Sequence, residues 1–334
     1  MIIPNSFSFF KDSAFKRRDI LEDRYGRKID YLRLSVTDLC NYRCRYCMPE
    51  AGVAKLPRSG ILSVEEIGEL GRAAVNCGVT KIRLTGGEPL VRGGIIEICR
   101  ALSSVTGLRE LCMTTNGSLL ERFAVPLRDA GVSRLNISLD TLVPEKFASV
   151  TRQGDLDGVL RGIRAAEAAG FRELKLNTVL IGGFNDSEIE NFVALTREHP
   201  WEVRFIELMP MGECARWDAG CFLSGDEVLR RCPELESVGT RGVARQYRLP
   251  GAPGTVGLIS PMSHSFCSRC RRIRVTAEGR LMGCLHSREE IPLRGLHGPE
   301  LEAAIRRGIA QKPERHRLTE GGSETPREMN EIGG

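Results

Sequence analysis

Residues 31–36 (YLRLSV) alternate apolar and polar side chains, the pattern of a half-buried strand. Similar short apolar runs recur at 79–84, 108–114, 132–139, 173–181 and 202–208. Helical spacing fills the gaps. Ser63-Val-Glu-Glu66 has the form of a capping box, and Ala73, Ala74 and Val75 continue that helix. Further helices are expected over 94–104, 118–130, 155–169 and 186–198. Gly78, Gly107, Gly131 and Gly170 each fall just past a helix, where a left-handed cap is needed. Six βα units over residues 31–208 call for a parallel sheet with its chemistry on loops at the C-terminal strand ends. Six units are fewer than a closed eight-fold barrel requires. The expected fold is therefore α/β, a partial (β/α)6 TIM-like barrel, with a doubly wound open sheet as the alternative. After residue 210 the rhythm changes to short β-like runs at 245–249, 255–259 and 273–276, the mark of a smaller C-terminal α+β module. Three parts are expected: a polar, basic lead-in over 1–30, the barrel over 31–215 and the module over 216–334.

Composition narrows the class. Of 334 residues, 41% are apolar and 27% charged, which fits a globular chain and excludes collagen and wholesale disorder. No apolar run approaches the roughly 18 residues of a membrane-spanning helix. The net charge of +5 suits a phosphate-bearing ligand but makes no continuous basic stripe for nucleic acid. The N-terminus lacks the apolar core and cleavage site of a signal peptide. A reducing, cytoplasmic location is expected, in which the twelve cysteines bind metal or are simply buried.

Six of those cysteines form two sets of three. Cys40, Cys44 and Cys47 make a C-x3-C-x2-C run directly after the first expected strand. Zinc normally takes four ligands, whereas three thiolates suit an iron–sulfur cube with one iron left open. The second set is Cys267 and Cys270 followed by Cys284. Here His264 or His286 could complete a zinc site, so zinc stays an alternative beside a second cube. Arg272 and Arg274 follow at once, and on a strand they share a face, where paired guanidiniums suit a triphosphate.

The C-x3-C-x2-C run resembles the signature of the radical S-adenosylmethionine (SAM) enzymes, whose partial (β/α)6 barrel agrees with the units counted above. The resemblance implies a 4Fe–4S cluster on Cys40, Cys44 and Cys47 whose open iron chelates SAM. It places Tyr46 near the adenine, Gly87 of the run Thr85-Gly-Gly-Glu-Pro89 at the amino group, and Ser138 and Met209 at further SAM contacts. Within that family, the second cysteine set, the C-R-R-I-R run and the terminal Ile332-Gly-Gly334 resemble the GTP 3′,8-cyclases of molybdenum cofactor biosynthesis, from about residue 21 onward. This closer resemblance implies a second 4Fe–4S cluster on Cys267, Cys270 and Cys284. It implies GTP contacts at Arg33, Arg83, Thr114, Lys175, Arg272, Ile273 and Arg274, and catalytic roles for Arg272, Arg274 and a tail ending in Gly333 and Gly334. The implied partners are GTP, a low-potential electron donor, a downstream cyclic pyranopterin monophosphate synthase and, left open, a second copy of the chain, with no nucleic acid and no membrane. Two other readings compete. A peptide-modifying radical SAM maturase usually carries more C-terminal cysteines and lacks the Arg-rich run. A zinc-stabilised nucleic-acid binder is disfavoured by an aromatic content of only 6%.

Overall fold

The computed structural model describes residues 21–318 and 322–333; the lead-in over 1–20 and Gly334 lie outside the described residues. Each of the six expected strands forms: β1 (Tyr31–Ser35), β2 (Lys81–Thr85), β3 (Glu110–Thr115), β4 (Arg134–Ser138), β5 (Lys175–Leu180) and β6 (Glu202–Glu207). They lie parallel in chain order. The helices between them are α1 (Val64–Asn76), α2 (Ile95–Ser103), α3 (Leu120–Asp129), α5 (Leu156–Ala168) and α6 (Ile189–Glu198). Ser63 and Glu66 close the expected capping box on α1. Gly78, Gly107, Gly131 and Gly170 all have positive φ, as their positions after helices demand. A short helix, α4 (Pro144–Thr151), was not anticipated. It buries only Phe147, Val150 and Thr151 and has no side-chain cap, so its sequence carries little helical pattern.

The sheet remains open, and the C-terminal residues extend it from both edges instead of building a sheet of their own. Beyond α7 (Asp226–Arg231), strands β7 (Glu236–Arg241), β8 (Ala244–Arg248) and β9 (Thr255–Ile259) attach beside β6, with β9 parallel to it. Strands β10 (Arg272–Val275), β11 (Arg280–Met282) and β12 (Ile291–Pro292) attach beside β1, with β10 parallel to it. A last long helix, α8 (Gly298–Ala310), and the short α9 (Met329–Ile332) complete the chain. The described end of the lead-in is bound in: Arg27 pairs with Asp23 and donates to the carbonyls of Cys267, Pro313 and Glu314.

Strand alternation sorts the two faces of the sheet. Leu32, Leu34, Ile82, Leu84, Leu111, Met113, Leu135, Ile137 and Leu176 are buried in the main core. Their alternate neighbours, Arg33, Arg83, Thr114, Asn136 and Lys175, line the barrel interior. One buried carboxylate ties the loops behind β4 and β5 together. Glu188 accepts hydrogen bonds from the Thr141 hydroxyl (2.8 Å), the Leu142 amide (2.7 Å) and Lys146 Nζ (3.0 Å). Glu188→Ala leaves buried donors without an acceptor and is expected to cost about 2–3 kcal/mol in urea unfolding. A change below about 0.5 kcal/mol would mean that water replaces the carboxylate.

Candidate functional site

The two thiol sets stand at opposite ends of one strand pair. Cys40, Cys44 and Cys47 occupy the loop after the C-terminal end of β1. Tyr31, the first residue of β1, lies opposite Arg272 of β10. Cys267 and Cys270, just before β10, therefore sit at the other end, and β11 runs antiparallel to bring Cys284 back to it. At ~3.3 Å per strand residue, the two ends are roughly 15 Å apart. A single cavity of about 660 Å³ lies between them, and all six cysteines line it. So do Arg33, Tyr46, Arg83, Gly87, Thr114, Ser138, Lys175, Met209, Arg272 and Arg274. Ile273 departs from this group: its side chain is buried in the core on the opposite face of β10.

All twelve cysteines are free thiols. Burial pushes Cys40 up to about 11 and Cys44 well above its ordinary value, so as free thiols the first set holds its protons. The cationic iron core of an iron–sulfur cube is the kind of charge that would allow these buried groups to ionise together. The second set differs. Burial works to raise Cys267 and Cys270, but hydrogen bonding from His316 brings Cys267 down to about 7, and Arg272 with Lys312 brings Cys270 down to about 6. Among the described residues no three His, Cys, Asp or Glu side chains are arranged to share one metal ion. His264 is instead exposed and paired with Asp226 at 2.7 Å. His286 lines the cavity but faces the Ser323 hydroxyl at 3.1 Å.

Between the thiol sets, strand register assembles a polar girdle. Arg274, Arg33 and Arg83 are successive cross-strand neighbours on β10, β1 and β2. Thr114, Asn136, Lys175 and Glu202 form a similar row on β3 to β6. Burial, reinforced by the neighbouring guanidiniums of Arg83 and Arg272, pulls Arg33 down to about 10. Burial and then Arg33 and Arg272 hold Arg274 well below its ordinary value. Arg83 donates to the Tyr31 hydroxyl (2.6 Å) and the Met113 carbonyl (3.0 Å). Burial opposes ionisation of Tyr31, yet Arg83 and Arg33 together lower its pKa. Lys175 is brought to the cavity but engages Glu202, which Arg204 also contacts and to which Gln246 donates at 2.9 Å. Thr85 Oγ1, Asn136 Oδ1 and Asn177 Oδ1 are buried at the cavity with no hydrogen-bond partner among the described residues, ready for a polar ligand.

At the first thiol set, the Tyr46 hydroxyl donates to Asp140 (2.7 Å), whose other oxygen accepts from the Val179 amide (2.8 Å). Glu88, wholly buried, gathers the Leu90 and Asn116 amides and the Thr115 hydroxyl. Gly87 is required by the chain itself, because a Cβ there would overlap the Leu39 carbonyl. The tail reaches the same region. Arg327 is clamped by Glu278 and Glu290, Asn330 donates to the Asp38 carbonyl (3.1 Å), and Ile332 packs on Met211 and Met282. The Gly333 carbonyl accepts from Arg274 (2.6 Å) and Arg33 (3.1 Å).

Arg204, Lys81, Tyr31, Asn136, Asn177 and His316 line the cavity without having been singled out from sequence. For Arg204 and the two asparagines a signal existed: each is a polar residue within an otherwise apolar strand, as Arg33 and Arg83 are. Tyr31 and Lys81 open their strands, and His316 follows α8, so these three carry no comparable mark. Gly333 adopts φ 67°, and a Cβ would collide with Thr85 Oγ1. Gly333→Ala is therefore expected to raise amide hydrogen exchange across 329–333 at least about tenfold. Unchanged exchange would show that Thr85 yields.

The Radical SAM superfamily description matches residues 34–196, and Molybdenum Cofactor Synthesis C matches 201–318. The GTP 3′,8-cyclase of Peptoclostridium acidaminophilum is 49% identical over 323 residues, covering 95% of this chain and 99% of that one. The GTP 3′,8-cyclase of Pseudomonas entomophila is 48% identical over 333 residues, covering 96% and 99%. Among solved structures, Streptococcus suis SuiB bound to S-adenosylmethionine shares the fold, with a TM-score of 0.58 at 13% identity over 91% of this chain and 77% of that one. On its full-length relatives, its two matching family regions and its fold, the chain belongs to the GTP 3′,8-cyclases, the radical SAM enzymes of molybdenum cofactor biosynthesis.

Proposed function

We propose that this enzyme converts GTP to 3′,8-cyclo-7,8-dihydro-GTP in a cavity held between two 4Fe–4S clusters. The observation that carries the reading is the pair of three-thiol sets facing one another across a wall of arginines. Cys40, Cys44 and Cys47 would hold the SAM-binding cluster, and Cys267, Cys270 and Cys284 the second cluster, against which the guanine would lie. When bound and reduced by one electron, the first cluster with SAM would supply a 5′-deoxyadenosyl radical to take hydrogen from ribose C3′; C3′ would then bond to guanine C8, and a second electron with a proton would complete the 7,8-dihydro product.

The chain's own residues bind and orient. Tyr46, Gly87, Ser138 and Met209 would bound the SAM. Arg33, Arg83 and the Arg272–Arg274 run, in which Ile273 could contribute only backbone, would hold a triphosphate of roughly −4 charge. Thr114 and the unpartnered Asn136 and Asn177 offer polar contacts to ribose or base. Lys175 reaches phosphate only by exchanging partners with Glu202. The tail ending in Gly333 and Gly334 would fix Arg33 and Arg274 relative to the ribose, and to reach these arginines the phosphates must displace or share the Gly333 carbonyl. A low-potential donor must supply both electrons, and a cyclic pyranopterin monophosphate synthase would consume the product. A second copy of the chain is not required by any residue named here.

Anaerobic incubation with SAM, dithionite and GTP deuterated at ribose C3′ is expected to give deuterated 5′-deoxyadenosine by mass spectrometry. Unlabelled 5′-deoxyadenosine would point to another substrate or site of abstraction. The Cys267→Ala/Cys270→Ala/Cys284→Ala variant should retain about half the iron and acid-labile sulfide of the parent and still cleave SAM. Zinc in place of that iron in the parent would overturn the second cluster. Removal of Gly333 and Gly334 should abolish cyclisation with both clusters intact, and full turnover by the truncated chain would remove the tail from the mechanism.

A further inference from the structure

The cavity has two ends, and the tail covers one. Where the parallel strands end, Met329 and Asn330 line the wall and the Gly333 carbonyl sits on Arg33 and Arg274. The opposite end is built from strand beginnings. Lys81 opens β2, Arg109 immediately precedes β3, Arg134 opens β4 and Arg271 precedes β10, and all four line the cavity. Arg241, at the tip of the β7–β8 hairpin, joins them, because it and Arg134 both contact Glu173.

Charge at this rim does not balance. Five cations face four carboxylates, and each carboxylate is already engaged. Asp30 pairs with Arg271, Glu110 with Lys81 and Arg134, Glu173 with Arg134 and Arg241, and Glu202 with Lys175, Arg204 and Arg241. Arg109 lines the cavity, is exposed to solvent, and has no ion-pair partner among the described residues. It stands at the mouth of a funnel whose deeper wall is Arg83, Arg33 and Arg274.

We propose that this rim of strand beginnings is the admission site for the polyphosphate chain of the nucleotide, with Arg109 its leading cation. The proposal rests on the reading of GTP as substrate. The acids at the rim clamp the neighbouring arginines in place and leave Arg109 to meet an anion arriving from solvent. A low-dielectric cleft of one sign raises association rates by ~10–10³-fold, and salt erases the gain over about 8–10 Å. Admission from this end leaves SAM at the other end undisturbed, meets the tail only at the Gly333 carbonyl on Arg33 and Arg274, and delivers the phosphates along a graded series of guanidiniums.

The test is stopped-flow association of fluorescent N-methylanthraniloyl-GTP with cluster-loaded protein at about 50 mM and about 500 mM salt. R109E is expected to slow association about tenfold at low salt, with the gap closing at high salt and the dissociation rate changing little. R109E/R241Q should slow it further. Arg269 is left intact because it lies between Cys267 and Cys270. R164E places the same reversal on the exposed surface of α5 and should stay within about twofold of the parent. Association unchanged in R109E, or slowed equally by R164E, would overturn the proposal. Failure of the nucleotide reading looks different: the parent would not bind the GTP analogue at all, while inorganic tripolyphosphate would still bind by calorimetry and weaken in R109E. If tripolyphosphate also fails to bind, the admission site falls with it.

Discussion

Three guanidiniums held side by side inside a protein are the constraint around which this molecule is arranged. Arg274, Arg33 and Arg83 occupy neighbouring register positions on β10, β1 and β2. Burial and mutual repulsion disfavour the charge on Arg33 and Arg274 and lower their pKa values, whereas burial of Arg83 is outweighed by Tyr31 and its other acidic neighbours. The surroundings answer with whatever acceptors they have. Tyr31 and the Met113 carbonyl take hydrogens from Arg83, and the Gly333 carbonyl takes them from Arg33 and Arg274. Neutral oxygens satisfy donors without cancelling charge, so the cavity stays electropositive. A polyanion such as the proposed triphosphate would complete the balance.

The same arginines explain why the tail belongs to the site. A terminal segment ordinarily frays because ordering it costs more entropy than its contacts return. Here Arg327 is gripped by two carboxylates, Ile332 fills an apolar niche between Met211 and Met282, and Gly333 supplies an acceptor that the arginines lack. Glycine is needed there for two separate reasons, a left-handed φ and the proximity of Thr85.

Much of this was legible before the structure. The strands were readable because alternation separates core leucines and isoleucines from inward polar residues, and the glycines after helices were readable because a left-handed cap tolerates little else. The two cysteine sets were readable from spacing alone. What stayed hidden depends on pairing across long distances in the chain. Nothing local marks Glu202 as the partner of Lys175, since the contact exists only once β5 lies beside β6. Nothing in the C-terminal runs reveals that they flank the barrel strands on both sides. α4 escaped notice because two apolar side chains make too little pattern, and the grouping of Ile273 with its arginine neighbours ignored the alternation that sends it into the core.

The pairing of β10 with β1 joins residues about 240 positions apart, so the barrel's first strand waits for nearly the whole chain before its free edge is covered. Until then β1 presents unpaired amides and carbonyls, as β6 does until β9 covers it, the hallmark of a template for misassociation. Long-range parallel pairings of this kind also make for slow folding. The first cysteine set emerges early in synthesis, whereas the second cannot take its place until the sheet is finished. The architecture therefore imposes an order on maturation, with the cysteines beside β10 the last to reach their places in the cavity wall.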